Sequence, residues 1–215
     1  MESNQSALAI VDAAFSDLER KIAELDRLSD DLQTSRENIQ KLDAESDRIK
    51  NDADGLERSK RVSKLTALNG SLEIEKSDNS RLVSAIQAAK ARVVESGRAV
   101  RNLIAQILFQ LSQTRKLNAV ALLEKHFVVR KIPLRLTDLA TTARGVVETR
   151  EWEETLTKPS RDREEEIGSL FSLKASFEPI RTAVLNEENL VLELRTAEEP
   201  VVPEPAATEV EPALA

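Results

Sequence analysis

Residues 15–56, FSDLERKIAELDRLSDDLQTSRENIQKLDAESDRIKNDADGL, repeat every seven residues. With Leu18 as position a, the a series is Leu18, Leu25, Leu32, Ile39, Ser46 and Ala53. The matching d series is Lys21, Leu28, Ser35, Leu42, Ile49 and Leu56. Nine of these twelve positions are apolar, and Asp, Glu, Arg, Lys, Ser and Gln dominate between them. That pattern predicts a helix with one narrow apolar seam, which is buried only when a second helix covers it.

Working outward, a second seam begins after residue 60. Its a positions are Leu65, Leu72, Asn79, Ile86, Val93, Val100 and Ile107; its d positions are Leu68, Glu75, Leu82, Ala89, Ser96, Leu103 and Gln110. Ala53 to Leu65 is twelve residues, so the two seams are out of phase by two. Coiled coils absorb insertions of three or four residues, not two, so a kink or break is expected. Two stretches compete for it. Residues 51–55 hold one Gly among weak helix formers, whereas Asn69-Gly70 is a stronger turn signal and is followed by the cap-like Ser77-Asp78-Asn79-Ser80. The expectation is a first helix over about 5–68, roughly 95 Å long, and a second over about 79–127. One nearly continuous helix is the alternative. Asn79 either fixes register inside the seam or belongs to the cap cluster.

Toward residue 111 the apolar stripe widens, with Val100, Leu103, Ile104, Ile107, Leu108 and Leu111 at helical spacing. Such a stripe needs more than one neighbour, so a small bundle is expected there. The β-branched, basic stretch 126–136, with Pro133, ends the second helix. Thr137-Asp138 caps a third helix running to about Leu156. Lys158-Pro159-Ser160 starts a fourth over about 161–194, with Ile167, Leu170, Phe171, Leu173 and Phe177 inward and Pro179 as a kink or split. Leu185, Leu190, Leu192 and Leu194 belong to a closing segment of undefined type. Pro200, Pro203, Pro205 and Pro212 lie among Glu, Ala and Val, so 197–215 is expected to be a disordered acidic tail. The fold class is therefore all-α: an elongated coiled-coil arm over 1–127, a small helical segment over 128–196 packing on its end, and the tail over 197–215.

The 215 residues include no Cys, one His and 3% aromatics, with a formal charge of −7. Disulfides, thiol chemistry and Cys-ligated metals are excluded, and His126 has no second His to share a metal with. No phosphate loop, nucleophile elbow or Walker lysine is present, so neither an enzyme nor a cofactor is expected. The carboxylate clusters Glu148-x-x-Glu151-x-Glu153-Glu154 and Glu164-Glu165-Glu166 read as solvated helix faces, the second favoured by the helix dipole. Trp152 is either a partner anchor or packed on the fourth helix. No apolar run reaches the roughly 20 residues of a membrane span, and no export signal is evident, so a cytoplasmic protein is expected.

Charge is segregated. Residues 1–60 carry nine basic against fifteen acidic side chains, 90–135 carry ten against two, and 136–215 carry eight against eighteen. Arg98, Arg101, Arg115, Lys116, Arg130, Lys131 and Arg135 are candidate anion contacts, as in nucleic-acid or anionic-membrane binding. Neutralisation by the acidic arms is preferred, because no aromatic stacking platforms are interleaved. The functional expectation is a non-enzymatic assembly or adaptor protein, self-associating or pairing with another helical protein, with a homo-oligomer the expected state. The seam residues Leu18, Leu25, Leu28, Leu32, Ile39, Leu42, Ile49, Leu56, Leu65, Leu72, Ile86, Val93, Val100 and Ile107 are the interface. A nucleic-acid-binding organiser using 90–135 is the alternative, and a peripheral membrane protein a weaker one.

Overall fold

The computed structural model describes residues 2–51, 57–129, 136–187 and 189–195. Expectations for Leu56, Arg130, Lys131, Arg135 and the 197–215 tail lie outside the described residues, as does the side chain of His126. Among the described residues four helices follow in order: α1 (Glu2–Asn51), α2 (Arg58–Val129), α3 (Leu136–Leu156) and α4 (Arg163–Asn186). Among the described residues there is no strand.

The two long helices, about 75 and 108 Å at 1.5 Å per residue, pack against each other as an antiparallel hairpin. Three cross-helix contacts show the direction: Ser96 donates to Asp17 at 3.0 Å, Arg92 to Glu24 at 2.9 Å and Ser35 to Glu75 at 3.3 Å. As residue number rises in α1, it falls in α2.

The break lies before Arg58, and α2 runs unbroken through Asn69-Gly70. That corrects the expected connection at 69–78. Gly70 is exposed and has open space around its Cα, so it faces away from α1. Leu65, Leu68, Leu72 and Leu82 flank it on the covered side. Their burial outweighs the cost of a helical glycine, about 1 kcal/mol. The two-residue phase slip then needs no stutter, because it falls between separate helices.

The core sits where α4 joins the hairpin. There α1 buries Ala7, Leu8, Val11, Phe15, Leu18, Ile22 and Leu25; α2 buries Val93, Val100, Ile104, Ile107, Leu108 and Leu111; and α4 buries Ile167, Leu170, Leu173, Phe177, Ile180 and Val184. At position 21–22 the seam departs from a strict heptad. Ile22 is buried, while Lys21 turns outward to pair with Asp17 at 2.7 Å. The second neighbour, α4, widens the face beyond the a/d seam. Lys21, Ser96 and Arg20, donating to the Asp17 carboxylate, hold it below the usual carboxylate range against partial desolvation.

Helix α4 begins at an N-cap. Asp162 accepts from the amides of Glu164 at 2.8 Å and Glu165 at 3.0 Å. It packs Leu170 over Gly97 of α2, where a Cβ would lie 2.5 Å from Leu170 Cδ1. Pro179 neither splits α4 nor ends it. Its ring and Ala175, whose carbonyl loses a donor, both lie on the exposed face. Phe171 is 60% exposed, which corrects its inward assignment: at a helical period it lies off the Leu170–Leu173–Phe177 stripe. The helix stops at Asn186, not near 194, because Glu187 is extended and Asn189 takes φ 64, after which 190–195 run without helix.

Helix α3 lies antiparallel on the C-terminal half of α2. Trp152 and Leu156 pack against the core, and the Arg115 guanidinium lies 5.7 Å from the Trp152 ring centroid. Trp152 thus packs with α2 through a cation–π contact instead of projecting freely.

Candidate helical interface

Burial divides the two seams. Leu18, Leu25, Ile86, Val93, Val100 and Ile107 are buried in the part of the hairpin that α4 joins. Beyond Leu25 the hairpin continues as two helices alone, and a helix with one neighbour keeps the flanks of its seam in water. There Leu28, Leu32, Ile39, Leu42 and Ile49 of α1, with Leu65, Leu68 and Leu82 of α2, are only half-buried; Leu72 is buried. The seam also turns polar. Ser35 and Ser46 are buried, and Asn79 lies in the seam with its Nδ2 buried and unpartnered, which places it at the register position and not in a cap.

On one flank of this arm an open depression of about 470 Å³ is lined by Asn38, Lys41, Leu42, Ser71, Ile74 and Glu75. Ile74 stands on it 65% exposed. These residues occupy equivalent turns of the two helices, so the depression follows the groove between them. The open volume beside Ser71 is room that a further helix's side chains would fill.

Among the described residues of the basic segment, Lys90, Arg92, Arg101 and Arg115 are paired inside the chain. Arg101 is 5% exposed and Glu166 is 2% exposed. Arg101 Nε donates to Glu166 Oε1 at 3.0 Å, Nη1 to the Leu156 carbonyl at 2.6 Å and Nη2 to Ser169 Oγ at 2.7 Å. The second Glu166 oxygen accepts from the Ser160 amide at 2.6 Å. One buried pair therefore ties α2 to the end of α3, the connector and the start of α4. Arg115 donates to Glu187 at 2.9 Å, the Gly145 carbonyl at 2.5 Å and Thr149 at 2.8 Å. Lys90 meets Glu164 at 2.6 Å. Arg98 and Lys116 remain exposed, on the outer side of α2. Of the carboxylate clusters, Glu148 and Glu154 pair within α3 with Arg144 and Arg150.

The sequence reading missed a set of amides. Asn4, Gln106 and Gln110 each bind the backbone of 190–195 through both amide atoms. Asn4 donates to the Leu190 carbonyl at 2.9 Å and accepts from the Leu192 amide at 2.9 Å. Gln110 donates to and accepts from Glu193 at 2.7 and 2.9 Å; Gln106 does the same with Arg195 at 3.1 and 2.8 Å. The available signal was Gln106 and Gln110, four residues apart inside an otherwise apolar stretch.

No described helix is long and apolar enough to cross a membrane. No family model matches the chain, and no similar curated protein or solved structure was found.

Proposed function

We propose that this chain is a non-enzymatic assembly protein whose two-helix arm pairs with further helices, either of a second copy or of another helical protein. The observation that carries this reading is the arm itself. Over residues 26–51 and 58–85, two helices hold a leucine seam that is mostly half-exposed, with an open groove beside it. Two helices in isolation satisfy such a seam less completely than three or four. The part of the same hairpin that α4 joins shows what a covered seam looks like: Val93, Val100 and Ile107 are fully buried. The internal pairing of Lys90, Arg92, Arg101 and Arg115 supports a protein partner over nucleic acid, because these charges already have carboxylate partners.

Multi-angle light scattering over a concentration series tests the self-association form of the reading. The expected mass is a multiple of 23.9 kDa. Ile74→Glu adds a charge to the exposed rim without touching the α1–α2 seam, so it is expected to return the mass to one chain while leaving helicity unchanged. A wild-type chain of single mass at every concentration contradicts self-association.

A further inference from the structure

Residues 190–195 lie on the α1–α2 surface as a peptide lies in a receptor. Seven hydrogen bonds hold them, from Ser3, Asn4, Gln106 and Gln110, and every one reaches main-chain atoms of the segment. The spacing explains the fit. One turn of helix from Gln106 to Gln110 advances about 6 Å. Two residues of extended chain, from Glu193 to Arg195, advance about 6.7 Å. Glutamines at i and i+4 therefore meet alternate residues of an extended chain. The row continues one turn further to Asn102, which is exposed.

Side chains of the segment divide by the same alternation. Leu190 and Leu192 are buried and Leu194 packs on the core, whereas Val191, Glu193 and Arg195 are exposed. Main-chain recognition gives affinity without demanding a sequence, and alternate apolar sites supply the selection, which is the logic of extended-peptide binding. The segment belongs to no helix and makes no strand ladder, so its removal breaks no secondary structure.

We propose that this amide track is a docking site for an extended polypeptide segment of a partner, with leucine or similar branched residues at alternate positions, and that residues 190–195 occupy it as a resident competitor. The proposal is independent of the reading of the arm, and its assay is read separately from chain mass.

The probe is a fluorescein-labelled peptide of sequence NLVLELRT, residues 189–196, titrated by anisotropy against the full chain. A tethered segment competes at an effective concentration on the order of millimolar, so the wild-type chain is expected to bind the probe at least about tenfold more weakly than a chain whose own segment is disengaged. Two such chains are Leu190→Asp with Leu192→Asp, and the milder Leu190→Ala with Leu192→Ala. Adding Gln106→Ala and Gln110→Ala to either is expected to weaken the probe about tenfold again, and a probe carrying Asp at both leucines is expected not to bind. The proposal is overturned if neither strap variant binds the probe saturably, or if the wild-type chain binds it equally well. It is also overturned if both variants lose their helicity, because a ligand-like segment must leave the fold standing when it departs.

Discussion

Arg101→Leu is expected to destabilise the chain by about 3–5 kcal/mol, because it leaves the Glu166 carboxylate buried without its cation. Glu166 is 2% exposed and would keep only the Ser160 amide. The Leu156 carbonyl and Ser169 hydroxyl would lose their donors as well. For a chain of this size the loss corresponds to a thermal midpoint lower by about 10 °C or more. Arg101→Leu combined with Glu166→Leu is expected to recover part of the loss, since removing both partners avoids the uncompensated charge. Lys90→Leu provides the contrast. Its partner Glu164 is 67% exposed, so the loss is expected to stay below about 1 kcal/mol. Equal effects of Arg101→Leu and Lys90→Leu would contradict the buried pair.

Phe177→Ala is expected to cost about 3–5 kcal/mol. The side chain is fully buried, and its ring centroid lies 5.7 Å from that of Phe15 across the α1–α4 contact. Truncation removes the transfer energy, opens a cavity and takes away the ring's aromatic partner. Urea unfolding should show a lower midpoint with an unchanged slope. Phe171→Ala, six residues earlier on the same helix and 60% exposed, is expected to change stability by less than about 0.5 kcal/mol. Comparable losses from the two would reverse the assignment of the buried face of α4.

The pair of phenylalanines also shows where the sequence was readable. A seven-residue repeat specifies a helix and its seam, and every seam residue from Leu65 to Ile107 lies on the covered side of α2. What the repeat does not encode is a second neighbour. The shift from Lys21 to Ile22, and the burial of Asn4 to Phe15 ahead of the first leucine of the heptad, depend on α4 and on 190–195, which arrive from more than 140 residues away. Asn69-Gly70 misled for a related reason: its local preference for a turn is about 1 kcal/mol, less than the burial of the leucines around it. Neutralisation of the basic segment by acidic arms was legible, but not the pairs that form, because Glu166 and Glu187, the partners of Arg101 and Arg115, are far away in sequence. The amide track was illegible because the alternating Leu190, Leu192 and Leu194 name no partner, and Gln106 and Gln110 read only as interruptions of an apolar stretch.

The two seams close on each other within one chain. The protein has no cysteine, so spin labels at Glu37→Cys and Lys76→Cys, both exposed, are the only ones present. Double electron–electron resonance on the labelled chain diluted with excess unlabelled chain reads that distance within one molecule. Helices packed side by side, with axes 8–10 Å apart, place the labels within about 25 Å, and that distance is expected to persist on dilution. A separation near 60 Å, the span of 39 residues in one unbroken helix, or a short distance that vanishes on dilution, would contradict the hairpin.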